Sequence, residues 1–258
     1  SRPIGTPTTS PHSADANNDH FVMTSTIHQG DVRDVLPTLD AGSVQCVVTS
    51  PPYWGLRDYG VRGQLGLEKT PSDYVDTLVK VFREVRRVLR DDGTVWLNLG
   101  DSFHNKQLTG VPWLVAFALQ ADGWYLRSDI IWHKPNPMPE PVTDRPTKSH
   151  EYLFLLTTSP RYYYDADAIR EHYQPSSKSR GKHRRQAFRP GGKRTVSMAG
   201  TTKTWSASTN QANRRSVWTI PTQPYSAAHF ATFPTALVEP CIKAGTSVKG
   251  CCSACGSP

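Results

Sequence analysis

The sequence predicts an α/β protein, with a parallel or mixed sheet covered on both faces. Three observations point there. Short β-branched apolar runs alternate with stretches of helical apolar spacing between residues 26 and 171. Two of those runs, Val44–Thr49 and Thr94–Leu99, read as buried strands. Polar residues gather where the strands stop, at Asp31 and at Thr49-Ser50-Pro51-Pro52-Tyr53, and open α/β sheets hold their ligands at the carboxyl ends of strands.

Residues 1–22 are polar, carry three prolines and show no periodicity, so they read as a flexible tail; Met23 is a candidate native start. Thr26–Asp31 reads as a short strand ending in Gly-Asp. Val32–Leu39 has apolar residues at 32, 35, 36 and 39, a helical spacing. Val44–Thr49 is a strand that stops at Ser50-Pro51-Pro52, because two prolines forbid continuation. Tyr74–Leu89 is the clearest helix, with Leu78, Val81, Phe82, Val85, Val88 and Leu89 on one stripe and Ser72 as its candidate cap after Pro71. Asp91-Asp92-Gly93 is expected to turn the chain into strand Thr94–Leu99. A short helix over Trp113–Leu119 and strands over Trp124–Trp132 and Tyr152–Thr157 follow, and Pro234–Ala244 forms a last helix despite Pro240.

The 258 residues are 37% apolar, enough for one sizeable core. No apolar run reaches the ~18 residues of a membrane span, and no basic-then-apolar segment opens the chain as a secretory signal would. Four of the five cysteines crowd the last 18 residues, which is not a disulfide framework. A reducing, cytoplasmic setting is expected. The formal charge of +8 is unevenly spread. Eleven Lys or Arg and no Asp or Glu lie between His172 and Arg215, so that segment carries +11 and the rest of the chain −3. A long basic loop suits a polyanion, whose phosphates release counterions on binding; a solvated linker is the plainer reading, and the two are compatible. The expected organisation is a tail over 1–22, an α/β part over 23–171, the basic segment over 172–215, a return to the core over 216–245 and a Cys-rich tail over 246–258.

Ser50-Pro51-Pro52-Tyr53 delivers a hydroxyl, two rigid prolines and an aromatic to a strand end. The prolines remove two N–H donors and leave oriented carbonyl acceptors nearby. Acceptors beside an aromatic suit a planar base with an exocyclic amine; a structural turn with a core tyrosine is the alternative. Thr49-Ser50-Pro51-Pro52-Tyr53-Trp54-Gly55 resembles motif IV of the amino-methylating DNA methyltransferases, whose Ser form is typical of N4-cytosine enzymes and whose Asp form is typical of most N6-adenine enzymes. Gly30-Asp31, Leu99-Gly100-Asp101-Ser102-Phe103, Trp132-His133-Lys134-Pro135-Asn136-Pro137, Lys148-Ser149-His150-Glu151-Tyr152 and His229–Leu237 resemble further motifs, in the order of the family's beta group.

The resemblance implies a Rossmann-like methyltransferase sheet, mixed and mostly parallel, with a basic recognition segment. It implies S-adenosylmethionine as cofactor, held by Asp31, Asp101, His229, Phe233 and Pro234, and Ser50, Pro51, Pro52 and Tyr53 as catalytic residues. Ser50 and the Pro51 carbonyl would accept hydrogen bonds from the cytosine N4 amine, Tyr53 would stack on the flipped base, and water or backbone would take the proton, because a serine hydroxyl barely ionises near neutrality. Double-stranded DNA is the implied partner. The resemblance leaves open a homodimer, and a cognate restriction endonuclease in the same restriction–modification system without direct contact. The beta group's Phe-x-Gly-x-Gly loop after motif X has no counterpart in this sequence, so an incomplete sheet, short of two strands, is expected.

Simpler roles stand beside these. Asp31 is also a candidate N-cap and Asp101 a candidate turn residue; Trp132 and His133 read as packed and hydrogen-bonded. Cys46 reads as a buried small apolar residue and follows no proline, which argues against a cysteine nucleophile. Cys252 and Cys255 have the spacing of half a zinc knuckle, but a complete site needs four ligands, so no metal is expected. An N6-adenine enzyme, a DNA-binding fragment without catalysis and an RNA methyltransferase are the competing functions, the last disfavoured by the motif order.

Overall fold

The computed structural model describes residues 25–172, 211–225 and 232–251. Strands β1 (Val44–Thr49), β2 (Leu89–Leu99), β3 (Phe103–His104), β4 (Gln107–Leu108), β5 (Tyr125–His133), β6 (His150–Thr157), β7 (Glu171–His172), β8 (Gln211–Ala212) and β9 (Val217–Thr219) alternate with helices α1 (Val32–Val35), α2 (Pro71–Val88), α3 (Val111–Ala121) and α4 (Thr235–Gly245). Five strands form one sheet in the order β1-β2-β6-β5-β9. β6 is antiparallel to both its neighbours, whereas β1 pairs with β2 and β5 with β9 in parallel. Four strands therefore run one way and β6 the other, the mixed and mostly parallel sheet that the sequence predicts.

Both faces are covered, which is why the strands are so apolar. On one face α2 and α3 pack through Tyr74, Leu78, Phe82, Val115 and Leu119 onto Val95, Leu97, Phe154 and Leu156. On the other, Leu237, Cys241 and Ala244 of α4 pack on Trp96, Leu153, Leu155 and Trp218. Fully burying one such side chain contributes roughly 1.5–3 kcal/mol, so these two layers fix the strand register.

Several expectations shift in position. α2 starts at Pro71 and is capped by Thr70, whose side chain accepts from the Asp73 N–H, so Ser72 is not the cap. Proline suits the first helical position, where its missing N–H costs nothing, and this moves the boundary upstream. Asp91-Asp92-Gly93 lies within β2 as a bulge, because Val44 pairs with Leu89 while Cys46 already pairs with Thr94. Gly93 is required there: an added Cβ would lie 2.7 Å from the Leu89 side chain and 2.9 Å from the Gln45 carbonyl. The helix expected over Val32–Leu39 is one α-turn continued by a 3-10 turn at Leu36–Thr38, which contains Pro37. Thr26–Asp31 forms no strand: no described strand pairs with it, and Ile27 is 94% exposed. β9, unanticipated, buries Trp218 and exposes Val217 and Thr219, a period-2 pattern only three residues long.

α4 runs through Pro240, which is buried. The β7–β8 ribbon brings residues 171–172 and 211–212 together, so the basic segment leaves and re-enters the fold at one place. Two of its eleven cations are tied to the body: Arg215 pairs with Glu171, and Arg214 lies over the Trp218 ring. The tail over 1–22, the other nine cations, His229, Cys252 and Cys255 lie outside the described residues. No helix among the described residues is long and apolar enough to cross a membrane.

Candidate active site

Four strand ends converge at one edge of the sheet. Parallel pairing puts Thr49 beside Leu97, so Ser50 follows β1 next to Asn98 of β2. Antiparallel pairing puts Tyr152 beside Leu99, so Glu151 at the start of β6 reaches the same edge. Trp132 pairs with Glu151, which leaves Lys134 just past the end of β5.

These side chains form one network. The Ser50 hydroxyl donates to the Tyr53 hydroxyl at 3.1 Å. Tyr53 donates to Glu151 Oε2 at 2.6 Å. Asn98 Nδ2 donates to Glu151 Oε2 at 2.7 Å and to the Tyr53 hydroxyl, and stands 3.5 Å from Ser50 Oγ. Lys134 Nζ pairs with Glu151 Oε1 and lies 4.3 Å from the centre of the Trp132 ring. Burial pushes the Glu151 carboxyl up, but the Lys134 ammonium and the hydrogen bonds from Lys134, Tyr53 and Asn98 outweigh it and hold the group below its ordinary value. Burial, and then the Glu151 charge, pushes the Tyr53 phenol well above its ordinary value.

The Ser-Pro-Pro-Tyr turn is held from beneath. Tyr74 of α2 donates to the Pro52 carbonyl at 2.8 Å. Among the described residues no hydrogen bond reaches the Pro51 carbonyl. Gly100 lets the Tyr53 ring lie against the end of β2: an added Cβ would sit 2.6 Å from Tyr53 Cε2.

Ser50 opens onto a cavity of about 400 Å³ lined also by Gln223, Pro224, Tyr225, Thr232, Phe233 and Thr235. That volume lies within the range of small-ligand sites, and its mixture of aromatic, proline and hydroxyl groups suits a planar base beside a short aliphatic arm. Ser50 and Phe233, 183 positions apart in the sequence, therefore share one cavity. Pro234, next to Phe233, is buried as the N-cap of α4.

The other expected site residues stand apart from this network. Asp31 caps α1, accepting from the Arg33 N–H at 2.8 Å, and pairs with the Arg33 side chain at 2.5 Å. The Arg33 hydrogen bonds bring its carboxyl down to about 2. Asp101 accepts from Ser102 N, Thr109 Oγ1 and Gly110 N, a turn role that ties the β3–β4 ribbon to the start of α3. Its carbonyl accepts from Lys148, whose own pKa is lowered by burial. His133 meets Thr219 and Trp132 donates to the Ile220 carbonyl, both packed and hydrogen-bonded as expected. Cys46 is half-buried rather than buried, packed against the α4 layer, and its burial raises the thiol. No cluster of three metal-ligating side chains occurs among the described residues.

Lys134 and Glu151 fall within motifs visible in the sequence, but their meeting with each other and with Asn98 does not show there. One signal was present: Asn98 is a lone amide inside an apolar strand, and a buried polar group demands a partner.

A family model described as DNA methylase matches residues 44–252. The type II methyltransferase M.Cfr9I of Citrobacter freundii is 45% identical, over 86% of this chain and 73% of its own. M.SmaI of Serratia marcescens is 44% identical, over 86% and 75%. Among solved structures, the PvuII DNA methyltransferase (cytosine-N4-specific) superposes with a TM-score of 0.59 at 16% identity, covering 84% of this chain and 69% of that one, a likeness of fold.

Proposed function

Since this chain belongs to the DNA methylase family, we propose that it is a site-specific DNA methyltransferase that moves a methyl group from S-adenosylmethionine to the N4 amine of cytosine. One observation carries the reading. Ser50 turns its hydroxyl proton inward to Tyr53, so it has lone pairs to offer the cavity it lines, and the Pro51 carbonyl is assigned as the second acceptor by resemblance. Two acceptors suit an exocyclic NH2, which has two protons to give. A neutral hydroxyl in the first position, where an acid stands in most adenine enzymes of the resembling family, favours cytosine.

Cytosine's N4 lone pair is delocalised into the ring, so the amine is a poor nucleophile. Hydrogen bonds from both its protons to Ser50 and Pro51 favour a pyramidal nitrogen with its lone pair exposed. Tyr53 is assigned by resemblance to stack on the flipped base, and the Tyr74 bond to the Pro52 carbonyl keeps the turn from moving. Positioning and fixed acceptors supply most of the acceleration, and no covalent enzyme intermediate is required. S-adenosylmethionine supplies the electrophilic methyl group. Phe233 and Pro234 suit its methionine end, and Asp31, Asp101 and His229 are assigned to it by resemblance.

The segment over 172–215 is assigned to the target DNA on the strength of its charge, with the β7–β8 ribbon as its base and the regions over 23–171 and 216–245 as the catalytic core. A cytoplasmic homodimer, paired functionally with a restriction endonuclease that it does not touch, completes the reading.

The test is to incubate the protein with methyl-labelled S-adenosylmethionine and unmethylated DNA, then digest to nucleosides. Label in N4-methylcytosine is the expected result. Label in N6-methyladenine would move the chain to the sister chemistry. Salt-sensitive DNA binding by folded protein that transfers no label would make it a binding module.

A further inference from the structure

We propose that Glu151 ends a proton wire that begins at Ser50 and passes through Tyr53, and that this wire removes the amine proton as the methyl group is transferred. The inference rests on reading the chain as an amine methyltransferase, and it replaces water or backbone as the proton's destination.

The direction of the wire follows from the donor inventory. The Lys134 ammonium and the Asn98 amide nitrogen have only protons to offer, and both face Glu151. The carboxylate has none to give. The Tyr53 oxygen already receives hydrogen bonds from Asn98 and Ser50, so its own proton goes to Glu151 Oε2, at 2.6 Å. Ser50 then holds its single proton towards Tyr53 at 3.1 Å and presents only lone pairs to the cavity. Every proton in the chain already points at Glu151. The Asn98 amide points its nitrogen at these acceptors, and its Oδ1 is buried without a partner among the described residues. The opposite turn would set that oxygen against the carboxylate.

The step balances. The amine nitrogen bonds the methyl carbon as the bond from that carbon to the sulfonium sulfur breaks. The methylated nitrogen carries a positive charge that it cannot share with the ring until it loses a proton, so it is strongly acidic and a weak base suffices. Its proton passes to Ser50 Oγ, the Ser50 proton to the Tyr53 oxygen, and the Tyr53 proton to Glu151 Oε2. A sulfonium, a neutral amine and a carboxylate become a sulfide, a methylated amine and a carboxylic acid, with net charge conserved. Tyr53 is held so far from ionisation that the protons move in concert and no tyrosinate forms. Once the product leaves, water in the cavity recovers the proton through Ser50.

Glu151 is thus a positioning residue acting through Tyr53, and the test must separate that from support of the fold. Single-turnover methyl transfer is measured for the wild type, Tyr53→Phe, Glu151→Gln and the double variant, with affinities for S-adenosylmethionine and DNA measured separately. Tyr53→Phe keeps the ring face and breaks the wire. Each single variant is expected to slow transfer by at least ~100-fold, the usual scale of acid–base assistance, with affinities unchanged. The double variant should be no slower than the slower single variant, because both cut one wire. The wild type should show a solvent deuterium isotope effect that Tyr53→Phe abolishes. A wild-type rate in Tyr53→Phe, or multiplicative losses in the double variant, overturns the wire.

Nucleoside analysis of the wild-type product tests the function separately, and a wire serving adenine N6 would stand even if the cytosine assignment fell. Carbon NMR of labelled Glu151 needs no turnover at all. With Lys134, Lys148, His150 and Tyr53 facing it, Glu151 should remain ionised down through pH 4.5, and its signal should move in Tyr53→Phe. A protonated Glu151 at neutral pH would overturn the proposal.

Discussion

Replacing Gly100 by alanine should damage methyl transfer far more than it damages the fold. Gly100 does not adopt the left-handed backbone that favours glycine, so alanine carries no conformational cost there. The effect is steric. The new Cβ would lie 2.6 Å from Tyr53 Cε2, 3.0 Å from Cδ2 and 3.4 Å from Glu151 Cδ. Carbon atoms prefer about 3.5–4.0 Å, so the ring must retreat by roughly 1 Å. The Tyr53–Glu151 bond, 2.6 Å long, would then stretch beyond hydrogen-bond range. Overpacking of this kind costs about 1–3 kcal/mol. At roughly 2–4 °C per kcal/mol for a chain of this size, Tm should fall by about 2–12 °C. A 1 Å misplacement of a positioning group costs on the order of 100-fold in rate.

Gly42→Ala supplies the control. Gly42 has φ of 64° and open space around its missing Cβ, and it lies before β1, at the opposite end of that strand from Ser50. Alanine there should cost about 1–2 kcal/mol of backbone strain and leave transfer intact. Single-turnover kinetics below the Tm of both variants decides the matter. A full rate in Gly100→Ala, or equal rate losses in both variants, would refute the steric account.

Three further outcomes follow from particular contacts. Tyr74→Phe removes the donor to the half-buried Pro52 carbonyl and should cost about 1–3 kcal/mol in urea unfolding; an unchanged midpoint would mean that the turn holds itself. Glu151 has a folded pKa below its ordinary 4.5, so its contribution to stability is present above pH 4.5 and lost as pH falls through the folded value. Urea midpoints should therefore drop on acidification by more in the wild type than in Glu151→Gln, and identical drops would count against an ionised Glu151. Replacing Arg184 and Arg185 by Gln should reduce the salt dependence of DNA binding, lowering the log–log slope by about 1.8 if both meet phosphates; an unaltered slope would leave the segment without that role.

The parts legible in the sequence are those set by local chemistry. Two prolines end β1 whatever surrounds it, and the stripe from Leu78 to Val88 has to be buried somewhere. Long-range pairing is less legible. Nothing in the spacing reveals that Tyr152 pairs with Leu99, and only that register brings Glu151 to Tyr53, 98 positions away in sequence. Thr26–Asp31 has strand composition, but a strand forms only beside a partner and none among the described residues pairs with it. Ser72 fits a cap by residue type, but Pro71 takes the first helical position and leaves the cap to Thr70. Charge counting likewise treated Arg214 and Arg215 as part of the basic segment, although the fold holds both against Trp218 and Glu171.

The reversed strand explains why this site has an acid held one layer back. In a wholly parallel sheet, every residue at the ligand edge comes from the end of a strand, and its side chain faces the ligand from a flexible loop. β6 runs the other way, so its first residues arrive at that edge already in the sheet, Tyr152 paired with Leu99 and Ile131 and Glu151 with Trp132. An acid placed there is rigid, flanked by the lysine that leaves β5, and screened from the cavity by whatever β1 lays across it. Here β1 lays Tyr53 across it. The amine therefore meets a neutral hydroxyl and a carbonyl, while the negative charge that makes Ser50 a better acceptor sits two hydrogen bonds away. Such an arrangement draws the amine proton without setting a bare carboxylate beside a sulfonium, where an ion pair would hold the ground state too tightly and give back part of the acceleration.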